Sequence, residues 1–364
     1  MKRFLRQHRG LHLWLGIVIG ALLLFYAFRY VRAVMNFWVF SVALPFRRGM
    51  GTVTGLVPFS VAELVVLLLV LTVIGLFIRE IRRMRWPRVR DRMPLWQGLY
   101  RIVAGALAIA LSCFAGLTLL YGANFYADNF QERSGIHAGG GTVEDLERVT
   151  LLFAEGLNRA ASLVDRDEAG VFAAPVRQIF DESLTAFGPF DEAFPFIAMQ
   201  DRRPKPLVIS PFMAMTDYVG FYFPFTGEAN INTLAPRSQL PVIVLHEFAH
   251  QRGIASENEA NFVAILAGVK SDNPMFVYSA FQMGYSYLSG ALHRVNPERF
   301  WEIHATLSDY VLADFADIRA YHERKNPTAQ RVTHAANDRM LRTYGEASGI
   351  HSYGEVVDLL IVYF

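Results

Sequence analysis

Three stretches of this 364-residue chain are apolar almost without interruption. Residues 11–28, LHLWLGIVIGALLLFYAF, carry no acid, Lys or Arg. Residues 57–78 are broken only by Ser60, Glu63 and Thr72, and residues 102–125 are rich in Ala, Leu and Gly. A bilayer core of about 30 Å is crossed by roughly 20 helical residues, so each run has the length of a transmembrane helix. The first is longer than the apolar core of a cleaved signal peptide. Residues 35–46, around Trp38, form a shorter apolar stretch that reads as an interfacial or re-entrant segment.

Beyond residue 125 the pattern changes. Gly139, Gly140 and Gly141 mark a joint. Thr142 then opens a helical periodicity, with acidic residues in its first turn, that runs to about Val164. A second helix is expected over 175–187. Strand-like pieces follow at 206–210, 218–223 and 229–232, where β-branched and aromatic residues concentrate. A helix opens at Pro241, and others are expected over 257–269, 274–292, 297–321 and 335–344, with 353–363 a helix or a strand. The pattern predicts an α+β chain, mostly helical: a membrane region over 1–125 with three transmembrane helices, then a domain over 126–364 with a short β-sheet.

Composition sharpens the division. The chain is 53% hydrophobic with a mean hydropathy of +0.25. Up to Tyr121 it holds 16 Lys and Arg against three acids; the remainder holds 19 against 30. The basic residues cluster before the first run (Lys2, Arg3, Arg6, Arg9) and between the second and third (Arg79, Arg82, Arg83, Arg85, Arg88, Arg90, Arg92, Arg101). By the positive-inside rule both segments are cytoplasmic, so the C-terminal domain is extracytoplasmic. Flanked by apolar spans, the arginine-rich segment suits anionic lipid headgroups of the bilayer and not nucleic acid. The lone Cys113 excludes a disulfide framework and a cysteine-rich zinc ribbon.

The candidate chemistry lies in HEFAHQRGIASENEANF, 246–262. On a helix His246 and His250 stack on one face, where two imidazoles can share one metal ion. Glu247 is rotated by about 100° and reaches a water held there, as a general base would. Gly253 suits a left-handed helix end that reverses the chain. Ser256 and Glu259 have the spacing of a capping box for a second helix. That assignment leaves Glu257 as the third metal ligand, with Glu259 the alternative, and Asn261 one turn on to steady a ligating histidine.

HExxH followed by Glu257-Asn-Glu-Ala-Asn261 resembles the glutamate-zincin metallopeptidases, although the connection after His250 is shorter than is usual there. The Gly253 turn resembles the metzincin pattern, but Ser256 stands where that group has its third ligand. Over nearly its full length the chain is similar to an uncharacterised bacterial membrane family, domain of unknown function 3810, with three amino-terminal spans, this motif and an upstream PFTGEAN, here 224–230. The resemblance implies a zincin-like fold in a bacterial cell membrane.

These readings together predict a membrane-anchored Zn2+ metallopeptidase acting on a peptide or protein substrate. His246, His250 and Glu257 would be its ligands and Glu247 its catalytic base, and the edge near 220–223 would pair with an extended substrate. Tyr285, Tyr287 and His293 are candidate oxyanion donors. His304, His322, His334 and His351 show no ligand spacing. The alternatives are a non-catalytic metal-binding sensor or scaffold, and a transporter component in which HExxH is accidental. The near absence of ionisable residues in the spans, Glu63 excepted, argues against a transporter.

Overall fold

A computed structural model describes residues 8–85, 95–216, 218–324 and 353–364, with isolated positions between 327 and 339. Among the described residues, three helices are long and apolar enough to cross a membrane: α1 (Arg9–Phe28), α4 (Val61–Arg85) and α5 (Leu95–Leu120). Only 6% of the apolar window of α4 is buried within the protein. So large an apolar surface on a helix of spanning length points to a membrane. The boundaries differ from the apolar runs for local reasons. Helix α4 begins only after Pro58, where the Ser60 Oγ accepts from Glu63 N at 3.1 Å, a helix-start contact. Helix α5 stops before Tyr121 because Asn124 Nδ2 donates to the Tyr121 carbonyl, 2.6 Å, and a 3-10 turn, Gly122–Tyr126, follows.

Residues 35–46 lie inside a continuous helical run, with α2 (Arg32–Trp38), a π turn (Val39–Ala43) and α3 (Leu44–Thr54). The π turn ends two residues before Pro45, whose missing N–H interrupts the helical ladder at Ser41.

The C-terminal core is built from α6 (Val143–Ala161), α7 (Val176–Ala186) and three later helices: α8 (Leu240–Gln251), α9 (Glu257–Lys270) and α10 (Pro274–Val295). Helix α9 is apolar on nearly every side. Its residues Val263, Ala264, Ile265, Leu266 and Ala267 are fully buried, as expected of a central helix. The sheet has β1 (Lys205–Pro206), β2 (Gly220–Phe223) and β3 (Glu228–Ile231) in the order β1-β3-β2. Strand β3 runs parallel to β1 and antiparallel to β2, with Phe221 opposite Asn230.

The expected strand at 206–210 is reduced to a two-residue pairing, because Glu63 accepts from Val208 N and Ile209 N, 3.0 Å each, and turns the chain away. The helix expected over 297–321 is two, α11 (Pro297–His304) and α12 (Asp309–Glu323). The Asn158 side chain holds the break, donating to the Thr306 carbonyl and accepting from Ser308 N, both 2.8 Å. Residues 353–363 form a helix, α13 (Tyr353–Tyr363), packed on α9 and α10. The helix expected over 335–344 lies almost wholly outside the described residues.

The membrane-type helices and the C-terminal region are bonded to each other. Glu228 of β3 accepts from Val61 N (3.2 Å) and Ala62 N (2.8 Å), satisfying donors at the start of α4. Asn230 Oδ1 accepts from Ser60 Oγ at 2.6 Å. Gly227, at φ +67°, packs so closely on α3 that a Cβ there would stand 2.2 Å from the Arg47 carbonyl oxygen. Only glycine supplies both the backbone angle and the space. These residues belong to the PFTGEAN segment, which seats the β2–β3 turn against α3 and the start of α4.

Candidate metal centre

Helix α8 carries the two histidines, and the reversal after it decides what they meet. Gly253 has φ +98°. Ile254 N donates to the Ala249 carbonyl (3.2 Å) and Gly253 N to the His250 carbonyl (3.1 Å), the paired bonds of a Schellman ending. The next residue but two is Ser256, and α9 starts at Glu257. Arg252 anchors the reversal. Fully buried, it pairs with Asp191 (3.0 Å) and Asp201 and stacks on Phe187, 3.7 Å from guanidinium carbon to ring centroid.

The bend brings three side chains together. His246 Nε2 and His250 Nε2 are 3.0 Å apart, and Glu257 Oε2 and Oε1 lie 3.3 Å and 3.7 Å from them respectively. All three ligating atoms fall within 4.8 Å of one another. Zinc bonds of about 2.0–2.1 Å at tetrahedral angles would set such atoms roughly 3.3 Å apart, so the donor set fits that ion by element, spacing and charge. Among the described residues no fourth His, Cys, Asp or Glu joins the group.

The surroundings orient the donors. His250 Nδ1 lies 2.8 Å from the Ile254 carbonyl oxygen, which assigns the proton to Nδ1 and leaves the Nε2 lone pair facing Glu257. The Tyr121 hydroxyl, just beyond the end of α5, stands 3.1 Å from the same Nδ1. His246 has the Asn261 amide beside it, a contact that favours its protonated form.

Glu247 is buried, and its Oε2 has no hydrogen-bond partner. Burial foremost, with the charge of Glu257 adding to it, pushes its pKa up to about 8. Gly220 makes room for it: a Cβ at that position of β2 would stand 2.8 Å from Glu247 Oε1. Burial lowers His250 to about 4. At His246 burial works downward too, but the hydrogen bond and charge of Glu257 outweigh it and the pKa lies above the ordinary value. Glu257 is held below the usual carboxylate range, the two imidazoles outweighing the effect of burial.

These shifts predict proton-linked metal uptake. An imidazole must lose its proton to ligate, and the raised pKa of His246 extends the competition above pH 6.5. A dication beside Glu247 would also draw off that carboxyl's proton. Zinc affinity, measured against a chromophoric chelator, should therefore rise with pH between about 6 and 8, by more than the roughly tenfold per unit of a single displaced proton. Glu247→Gln should reduce the slope. A pH-independent affinity would contradict the proton assignment.

The capping box does not form. Ser256 makes no side-chain cap bond. Glu259 instead accepts from Phe130 N (3.0 Å) and Gln131 N (3.1 Å), buried at the start of a helical turn brought in from before α6. Its carboxylate is thus occupied away from the histidine pair. The three oxyanion candidates lie elsewhere. Tyr285 and His293 line a cleft between α10, α11 and α12, where the Tyr285 hydroxyl meets His304 Nδ1 at 3.4 Å. Tyr287 packs against the C-terminal core. His322 is on α12, ringed by Tyr321, and His334 and His351 lie outside the described residues. The contact of Tyr121 with His250 and the clearance that Gly220 gives Glu247 are absent from the sequence reading, where 220–223 is only a substrate-pairing edge. A glycine inside a strand signals close backbone approach, but nothing local to Tyr121 points to a histidine more than a hundred positions away.

The model of DUF3810, a protein family of unknown function, matches residues 41–361. No curated protein and no solved structure matches the chain.

Proposed function

The chain belongs to the DUF3810 family, and from that premise we propose that it is a membrane-anchored zinc metallopeptidase with a zincin-like site outside the cytoplasm. One observation carries this reading: His246, His250 and Glu257 converge to ligating distance with Glu247 buried beside them, and no fourth protein ligand closes the group among the described residues. A purely structural zinc site fills its fourth position with protein, whereas a catalytic one keeps it open.

His246, His250 and Glu257 would hold the ion. When bound, zinc supplies Lewis acidity toward a peptide carbonyl and lowers the pKa of water to about 7. Glu247 takes the proton of the attacking water and gives it to the leaving amine. Its burial keeps bulk water from short-circuiting that transfer, and Gly220 keeps its carboxyl free of steric contact. The Ile254 carbonyl holds the His250 ring in the ligating tautomer. Strand β2 is at the edge of the sheet, and a peptide adding to it would pass Glu247.

The charge pattern supports the topology. The arginine-rich segment between α4 and α5 would be cytoplasmic and the histidine pair, which meets Tyr121 just past the other end of α5, would face outward.

The test is metal removal. Full-length protein purified in detergent is treated with a strong chelator and incubated with a diverse peptide library read by mass spectrometry. Cleavage should fall to background and return when zinc is restored. A cleavage pattern indifferent to chelator would sink the assignment.

A further inference from the structure

Beside the β2–β3 turn, apart from the histidine pair, lies a cavity of about 220 Å³. Three arginines line it, Arg47 and Arg48 on α3 and Arg202 ahead of β1, together with Thr52, Tyr222 and Gln251. No Asp or Glu is among its lining residues. The volume accommodates an oxyanion and a few waters, at roughly 30 Å³ per water.

The arginines are short of partners. Arg47 is 1% exposed. Its Nη2 donates to Asn124 Oδ1 at 3.1 Å and its guanidinium lies over the Tyr222 ring, 5.8 Å to the centroid and beside the Tyr222 hydroxyl, while Nε and Nη1 are buried with no geometrically aligned acceptor. Arg48 Nε is also buried and unpartnered, and its Nη2 reaches only the Ile197 carbonyl, at 3.5 Å. Arg202 Nη2 donates to Thr52 Oγ1 at 3.2 Å. The carboxylates Asp191 and Asp201 close by are both engaged by Arg252. Burial, followed by the charges of Arg252 and Arg47, holds the Arg48 guanidinium below its ordinary pKa. An unpaired buried charge is costly. A guanidinium finds its strongest complement in the oxygens of a phosphate or similar anion.

We propose that this cavity binds a phosphate-type oxyanion through Arg47, Arg48 and Arg202, presented either on a lipid headgroup or free in solution. Gln251 adds a selective contact. Its Nε2 donates to the Gly227 carbonyl, 2.9 Å, and its Oε1 is buried without a partner. A protonated phosphate oxygen or a headgroup hydroxyl would satisfy that acceptor. The position favours a membrane source, because α3 lies between α1 and α4, two of the three helices fit to cross a bilayer. The cavity is lined by none of His246, His250 and Glu257, and its test reads neither zinc nor cleavage.

Calorimetric titration of the full-length protein in detergent with inorganic phosphate should show saturable binding. Arg48→Gln and Arg202→Gln should each weaken it by roughly tenfold, the effect of one charge-assisted contact. A second arm adds phosphatidic acid in mixed micelles. Competition with phosphate assigns the site to headgroups, and lack of competition assigns it to soluble phosphate. A third arm uses the unaltered protein: phosphate should protect Arg48 and Arg202 from an arginine-directed dicarbonyl reagent but leave Arg177, whose side chain is 89% exposed, fully reactive. Absence of saturable binding to either probe, unchanged affinity in both variants, or equal labelling with and without phosphate would overturn the proposal.

Discussion

Replacing Glu247 by glutamine is expected to leave one zinc bound per chain and to slow peptide hydrolysis by roughly 100- to 10,000-fold, the usual contribution of a positioned proton-transfer group. Glutamine matches glutamate in shape, and Gly220 leaves it the same space. The proposed ligands His246, His250 and Glu257 are untouched, so metal content, measured by elemental analysis, separates loss of base from loss of ion. Hydrolysis at the original rate by the zinc-loaded variant would remove Glu247 from the mechanism.

The same substitution has a signature without metal. The Glu247 carboxyl, ordinarily near 4.5, titrates at about 8 in the fold. Between those values the folded chain holds a proton that the unfolded chain has released. Stability of the metal-free protein therefore falls as pH rises from about 4.5 through about 8. The glutamine variant has no such proton to lose. Its thermal melts across that window should depend less on pH than those of the parent.

A paired experiment on α9 distinguishes its two acids. Glu257→Gln is expected to cost at least ~100-fold in zinc affinity, beyond the 10–100-fold typical of an outer-shell partner, with the fold retained. Glu257 is one-third exposed, and its contacts are the two imidazoles. Glu259→Gln should do the reverse. Its carboxylate accepts two backbone N–H groups, and the variant should lose about 1.5–3 kcal/mol, the worth of a hydrogen bond to a charged group, while zinc affinity holds. Zinc lost from the Glu259 variant and kept by the Glu257 variant would exchange the two roles.

How far each residue could be read before folding follows from the range of the forces that place it. The three apolar runs, the four-residue spacing of His246 and His250 and the reversal at Gly253 are local. Helix geometry and backbone sterics act over a few positions, and they appear in the structure close to where the residue pattern puts them. Boundaries moved where a side chain intervened from nearby, as Asn124 does after α5, or from afar, as Asn158 does between α11 and α12. The Ser256–Glu259 spacing illustrates the limit. It satisfies the capping pattern, yet two backbone donors from residues 130–131 compete for Glu259 and win, because burial makes leaving them unpaired more costly than leaving the helix start without its box.

Sequence by itself determined the apolar helices, the mostly helical class, the histidine pair and the acid beside it, since each depends on periodicity that neighbouring residues share. Tertiary structure alone decided that Glu257 and not Glu259 faces those histidines, that Tyr121 touches one of them, that Gly220 clears space for Glu247, and that Arg47, Arg48 and Arg202 crowd one cavity. The physical reason is that these contacts join positions distant in the chain. A side chain's type states what it can bond, and only the packed fold states which of its possible partners arrives.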